Sequence, residues 1–487
     1  MRLIPLFLCM SALAGCTVGP NFERPAAPST QTYLPPAEQA ATAPGQPTVS
    51  VGEGPRQGWW RAFGSPDLDR LVDQALTHNR SLAASDATLS ASRAEMRAVA
   101  GRALPQVDAT ARVDQQQVNL AAFGFAPSPS LGLAGNPNFE LYSVGGGISY
   151  DLDLFGGTRR QIEQAAAQSE AQRRRTEAAH LTLAGQVVGQ VLGIAAIRAR
   201  IAVQQSILDE DRRNLDLTRK RHEGGEGTLV EVLNAQSQFT ADQAISPGLD
   251  QQLAEARHLL AILVGVTPAD LGPTDFDLAA LTLPTDVPVT LPSELVHKRP
   301  DILQSEAELH AATAAIGVAT AKLYPDITLG ATLTQASPSI DNAFKNAFRG
   351  YDIFAGLAAP IFHGGTLKAE RAAAIERAHA ADATYQQTVL SAFGQVADLL
   401  SALQTNARAV ERQSEAEAVA RRSLQLSRRS FEVGNSGLLQ VLDSERLYQR
   451  ASADLVTARS IQLLNVARLY VATAGGWITP SPNLARR

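Results

Sequence analysis

Cysteine and aromatic residues are scarce in this sequence: two Cys in 487 residues, with aromatics at 5%. Two cysteines exclude a disulfide framework and a Cys-rich zinc site. Basic charge is not in excess either, since 43 Lys and Arg stand against 48 Asp and Glu. A formal charge of −5 offers no cationic face to neutralise phosphates, so no nucleic acid is expected as a partner. No uninterrupted apolar run reaches 18 residues, which argues against a membrane-spanning helix and leaves strands as the route across a bilayer. Chemical motifs are missing too. The histidines at 78, 180, 222, 258, 297, 310, 363 and 379 form no pair at metal-ligand spacing, and no HExxH, CxxC, GxSxG or P-loop pattern occurs. Gly145-Gly146-Gly147 lies in an alternating pattern and opens no helix, so it does not read as a nucleotide loop. Arg173-Arg174-Arg175 reads as a solvated helix face. The expectation is a protein that is not an enzyme, with no cofactor and no metal.

What is present begins with an address. Arg2 precedes an apolar stretch of Leu3, Ile4, Leu6, Phe7 and Leu8, then the small residues Ser11 and Ala12, the pattern of a secretory signal over residues 1–15. Leu13-Ala14-Gly15-Cys16 resembles the bacterial lipobox. That resemblance implies cleavage before Cys16, a diacylglycerol on its thiol and acylation of its new amine, each buried methylene adding about 0.8 kcal/mol of anchoring. By the same analogy, Thr17 in place of Asp implies the outer membrane. Gly19-Pro20-Asn21-Phe22 then opens a stretch rich in Pro, Ala, Thr and Gln. Its few apolar residues predict an extended tether over 16–58, with the body starting near Trp59-Trp60.

The body is written twice. Leu104-Pro105-Gln106-Val107 matches Tyr324-Pro325-Asp326-Ile327, Phe155-Gly156-Gly157-Thr158 matches His363-Gly364-Gly365-Thr366, and His222 to Leu229 matches Phe431 to Leu438. The copies lie 220, 208 and 209 residues apart at these marks, so the first has the longer loop between the first two. Each copy reads helix, strand, loop, strand, very long helix, tight turn, helix, over 59–288 and 289–476, with a tail at 477–487. Prolines are absent from 138–246 and 361–479, as long helices require. Val187, Ile194, Ile201, Leu208 and Leu215 predict a coiled-coil seam in the first copy, and Leu390, Phe393, Ala397, Leu400, Leu403, Ala407 and Val410 one in the second. A helix from Arg159 to Glu223 would be about 97 Å long. Gly224, Gly225 and Gly227 mark the turn in copy one, and Gly434 and Gly437 that in copy two. Pro247-Gly248 predicts a kink in the returning helix of copy one alone.

The strands alternate. Val107 to Asp114, Tyr142 to Leu152 and Ile327 to Thr334 place apolar residues on one face and polar or small ones on the other; a fourth strand around Ile353 to Ile361 alternates less cleanly. Their length suits an oblique bilayer crossing, lipid outside and a polar lumen inside. Four strands cannot close a barrel, and hydrocarbon tolerates no open edge, so the chain must oligomerise. Eight strands from a dimer or twelve from a trimer both close; only the latter leaves a bore.

Taken together, the signal, lipobox, Gly-Pro-Asn-Phe start, duplicated helix–hairpin–helix plan and Gly-bearing turns resemble the TolC-type outer-membrane factors, in particular their lipoprotein or NodT-like branch. The resemblance covers essentially the whole mature chain. It implies a mainly α fold with a β-barrel portion: a homotrimer with a 12-strand outer-membrane barrel continuous with a 12-helix periplasmic tunnel. It further implies an exit duct of a tripartite efflux system, in contact with outer-membrane lipid, a periplasmic adaptor protein and an inner-membrane transporter of RND type. A type I protein secretion channel remains open, as does a structural envelope lipoprotein; a hydrolase on a stalk would need a catalytic cluster. By motif, the resemblance implies a periplasmic gate in which Leu439 forms an apolar ring, Asp443 an acidic ring and Arg446 a restraining partner, with Glu231 as a further polar position. Gln440 stands where some members carry a second acid. Three aspartates meeting at ~7 Å would repel by about 2 kcal/mol per pair. The turns holding Gly225, Gly227, Gly434 and Gly437 would meet the adaptor. The cargo is not written in the chain.

Overall fold

The structure, a computed structural model, describes residues 17–35, 45–52, 54–117, 119, 138–342 and 345–473. The signal segment 1–15, the lipidation candidate Cys16 and the tail 477–487 lie outside the described residues. The first copy runs β1 (Thr48–Gly52), α1 (Pro66–His78), α2 (Arg80–Gly101), β2 (Gln106–Gln117), β3 (Asn138–Asp151), α3 (Gly157–Glu223), α4 (Leu229–Gln243) and α5 (Ser246–Val264). The second runs β4 (Asp286–Thr290), α6 (Pro292–Lys298), α7 (Pro300–Ala321), β5 (Asp326–Ser337), β6 (Arg349–Ala358), α8 (Thr366–Glu432) and α9 (Leu438–Ala472). The repeated order is therefore present, and α3 and α8 are equally long, at 67 residues each. The chain forms two compact units, one drawn from Met1–Arg24, Ser90–Glu170 and Glu306–Ala383, the other from Pro25–Leu89, Ala171–Ser305 and Thr384–Arg487.

In the first unit, a four-stranded antiparallel sheet has the order β2-β3-β5-β6, so the hairpins of the two copies join through β3 and β5. The register puts like with like. Val107 faces Ile148, Ile148 faces Ala331 and Ala331 faces Ile353, while one residue along Asp108, Gly147, Thr332 and Asp352 make the matching polar row. Alternation with period two thus becomes one apolar and one polar face across all four strands. Phe354 stands on the polar face and covers Gly330, where an added Cβ would come within 2.4 Å of its ring. β6 ends at Ala358, so Ile361, read from sequence as part of the fourth strand, lies beyond it and is 90% exposed.

The segment after Cys16 is more ordered than its composition predicts. Val18 N–H donates to Phe155 O (3.1 Å), and the buried Arg160 side chain donates to Val18 O, Gly19 O and Asn21 Oδ1. Phe22 stacks on His310 with centroids 4.3 Å apart, and Arg24 pairs with Glu306 at 2.7 Å. Apolar content alone misses this, because the segment is held by hydrogen bonds to a guanidinium and by one aromatic stack rather than by a core of its own. Further along, β1 pairs in parallel with β4 in the second unit, so residues 48–52 of the expected tether form a strand.

The second unit has its core where Trp59, Phe63, Leu68 and Val72 meet Val187, Val191 and Ile194 of α3, Val396 and Leu403 of α8, and Val466 and Leu469 of α9. Trp59 stacks on Tyr470 at 5.3 Å. Arg299 donates to Ala472 O (3.0 Å) and Gln395 Oε1 (2.6 Å) and pairs with Asp301. Contrary to the sequence reading, one window of α3 is long and apolar enough by composition to cross a membrane; half of it is buried, and Val187, Val191 and Ile194 belong to this core. The α8 seam is displaced by a residue in its first part, where Leu390 is 64% exposed and Val389, Ala392 and Val396 are buried, and runs as expected at Leu403 and Ala407, both buried. Of the Arg run only Arg175 is exposed, since Arg173 and Arg174 both grip the buried Glu177 at 2.9 and 3.0 Å. Pro247 does interrupt copy one: α4 stops at Gln243 and α5 restarts at Ser246, while α9 continues through 35 residues.

Candidate functional site

The two copies make the same turn between their long and returning helices. In copy one Gly225 has φ +79° and Glu226 N–H donates to Arg221 O at 2.8 Å; in copy two Gly434 has φ +78° and Asn435 N–H donates to Ser430 O at 2.8 Å. A left-handed residue followed by a long-range bond back into the last turn satisfies carbonyls that the helix end leaves open. The restart differs. Thr228 caps α4 by accepting from Glu231 N–H, and the Glu231 carboxylate accepts from Thr228 N–H at 2.8 Å, a full capping box. Gly437 caps α9 with no side-chain bond. Gly227 is crowded, with the Glu231 carboxylate and the Arg221 side chain 3.3 Å from where a Cβ would sit, whereas nothing lies within 4 Å of that position at Gly437.

Behind the turns, Leu215, Val232, Leu424, Phe431, Leu438, Val441 and Leu442 form a small apolar core, and the Arg221 guanidinium lies over the Phe431 ring at 4.8 Å. This side of α9 is buried. Its other side carries Leu439 (64% exposed) and the pair Asp443–Arg446, 3.7 Å apart with both side chains exposed. Leu439, Asp443 and Arg446, the residues expected at the gate, therefore share one stripe directed away from the chain's own packing. Such a pair adds only a few tenths of a kcal/mol to its helix, so intramolecular stability does not account for it. Glu231 is set apart from that stripe by its capping role.

Next to the apolar core, the buried seam of α3 turns polar. Gln204, Ile207, Asp211, Asn214 and Thr218 occupy it at steps of three and four, while Ile201 and Leu208 of the expected seam are only half-buried. Four helices bring charge to this level. Asp242 (α4) accepts from Gln238 and Gln449 at 2.7 and 3.2 Å. Glu445 (α9), 1% exposed, accepts from Asn214 at 3.2 Å and from Arg428 (α8) at 3.1 Å, and Arg428 also pairs with Glu210. Asp211 itself is 2% exposed, and neither carboxyl oxygen meets a donor among the described residues. Burial first, then the charges of Glu445 and Asp242, push its carboxyl up to about 8. Burial raises Glu445 to about 7 against the opposing pull of Arg428. Apolar periodicity could not find this seam, but polar residues repeating at coiled-coil steps in Gln204, Asp211, Asn214 and Thr218 were a readable sign of it.

Comparison with known proteins agrees with this geometry. The family described as "Outer membrane efflux protein" matches residues 71–266 and 291–475, one segment per copy. The pyoverdine export outer membrane protein OpmQ of Pseudomonas aeruginosa is 31% identical over 429 residues, 88% of this chain and 89% of that one. Nodulation protein T of Rhizobium leguminosarum bv. trifolii is 28% identical over 94% of this chain and 93% of its own length. The solved outer-membrane channel OprN superposes with a TM-score of 0.84 at 28% identity, covering 95% of this chain and all of that one. With both copies matched and relatives aligned over nearly their full lengths, the chain belongs to the outer membrane efflux proteins, the TolC-like exit channels of the bacterial outer membrane.

Proposed function

We propose that the chain works as one third of a homotrimer, in which three copies of the sheet close a twelve-stranded barrel in outer-membrane lipid and three sets of helix pairs line a periplasmic tunnel. One observation carries this reading: among the described residues the sheet has β2 and β6 as unpaired edges while its apolar residues share one face in register. Open edges beside an apolar face leave backbone donors and acceptors that hydrocarbon cannot satisfy, so the sheet must be completed by other copies. The duct is passive and performs no catalysis. Small molecules reach it from an inner-membrane transporter of RND type through a periplasmic adaptor, and that transporter supplies the energy.

Within this reading Cys16 carries the covalent lipid, and the docked segment from Thr17 onward ties that anchor to the first unit. Leu439, Asp443 and Arg446 form the periplasmic gate, because they lie exposed on α9 where only another subunit or cargo can meet them. Glu231 adds a polar group at the copy-one turn, secondary to its cap. The adaptor meets the turns at Gly225, Gly227, Gly434 and Gly437. Gly437 is the most telling of these, since neither its backbone nor its neighbours demand glycine, and a close-lying partner would.

Planar-bilayer recording on the detergent-purified acylated protein tests this directly. Discrete channel conductance from a trimeric species is expected. A folded, water-soluble monomer after removal of the acylated residue would overturn the proposal.

A further inference from the structure

The polar level between the two helix pairs holds more acid than its donors can serve. Glu210 and Asp211 come from α3, Asp242 from α4 and Glu445 from α9; Arg428 of α8 faces Glu210 and Glu445, and Arg213 of α3 pairs with Glu210 from the exposed side. The donors that are bonded there serve other acids: Gln238 and Gln449 donate to Asp242, Asn214 to Glu445, and the terminal nitrogens of Arg428 pair with Glu445 and Glu210, while its buried Nε makes no hydrogen bond among the described residues. Asp211 lies against the carboxyl groups of Glu445 and Asp242, with both oxygens buried and no donor bonded to either among the described residues. An ionised carboxylate so placed has no partner and repels its neighbours, whereas a protonated one becomes a donor to the carboxylate beside it.

We propose that Asp211 carries a proton shared with Asp242 and Glu445, and that this proton is a latch joining the α3–α4 pair to the α8–α9 pair. Acid closes the latch and alkali opens it. The direction follows from where the proton is held more tightly. Asp211 binds it more strongly in the packed state than at its ordinary value of 3.8, so the stabilisation is complete below that value and disappears as pH rises through about 8. Glu445, raised to about 7, acts in the same sense, so Asp211 and Glu445 take up protons as an interacting pair. Transmission to the gate rests on the duct reading, because Glu445 lies between Asp443 and Arg446 in sequence, on the opposite face of α9. The latch itself does not depend on that reading.

Pulsed electron resonance measures the latch without relying on conduction. Spin labels at Leu233→Cys (α4) and Leu426→Cys (α8), both exposed positions outside the cluster, report the separation of the pairs in full-length purified protein diluted with unlabelled chain. One narrow distance is expected near pH 5 and a longer, broader distribution near pH 9, with Asp211→Asn holding the narrow distance at both because its amide donates without a proton. In Glu445→Gln the transition moves to lower pH, since one repelling charge is gone. An unchanged distance across that range in the wild-type sequence overturns the proposal, and that titration alone decides it should Asp211→Asn fail to assemble. So does an Asp211→Asn protein that follows the wild type. Conductance on the same samples keeps the two readings apart: a pH-dependent distance without current removes the duct and leaves the latch, and current with a fixed distance does the reverse.

Discussion

Gly19 lies directly on Gly317: a Cβ placed on Gly19 would sit 2.5 Å from the Gly317 Cα, and one on Gly317 would fall 2.7 Å from the Arg160 side chain. Gly19 also has φ +89°, so both its space and its backbone require glycine. This contact fixes the N-terminal segment against α7 and orients the guanidinium that binds Val18, Gly19 and Asn21. Gly19→Ala and Gly317→Ala should each lower stability by about 1–3 kcal/mol. Gly248→Ala, at a helical position with nothing within 4 Å, serves as the neutral control. Thermal unfolding in detergent measures all three, and equal melting temperatures would contradict the account.

The same segment should respond to acid. Burial works to raise the Glu163 carboxyl, but hydrogen bonds from Arg160 and His310 outweigh it and hold the group below its ordinary 4.5. A depressed carboxylate contributes stability that is present above 4.5 and is lost as pH falls through its folded value. Proteolysis between Thr17 and Arg24 should therefore accelerate as pH falls below the ordinary 4.5, and Glu163→Gln should bring that susceptibility to neutral pH.

At the proposed gate, Asp443→Ala with Arg446→Ala should raise single-channel conductance without lowering the melting temperature, because both side chains are exposed and their pair adds little to the fold. Unchanged conductance in an intact trimer would count against the assignment.

Arg428 makes a contrasting prediction. It is the cation between Glu210 and the fully buried Glu445, so Arg428→Ala should destabilise the protein by about 3–5 kcal/mol by leaving a buried charge unpaired. The loss should be larger at pH 8 than at pH 5, because Glu445, raised to about 7, can shed its charge by taking a proton in acid. Chemical denaturation at the two pH values compares them.

The architecture was legible because its signals are periodic and occur twice. Pro105 and Pro325, the Gly156 and Gly364 junctions and the Gly225 and Gly434 turns gave the order of elements, and strict alternation gave the sheet faces. Leu390 was misplaced because α8 is apolar on adjoining stripes, so the pattern alone does not choose between Val389 and Leu390. The docking of Phe22 on His310 was hidden for another reason: it joins residues far apart in sequence through one stack, which leaves no local period. The burial of Asp211 and Glu445 was not legible, since it depends on what three other helices bring to each carboxyl.

Equal lengths of α3 and α8 make the molecule a matched pair of rulers. One residue added to either would turn everything beyond it by about 100° and advance it by about 1.5 Å. Arg221 would then slide off the Phe431 ring. A whole heptad in one copy would restore the rotation yet still displace its turn by about 10 Å, so length changes in such a chain keep this contact only when they arrive twice, once in each half.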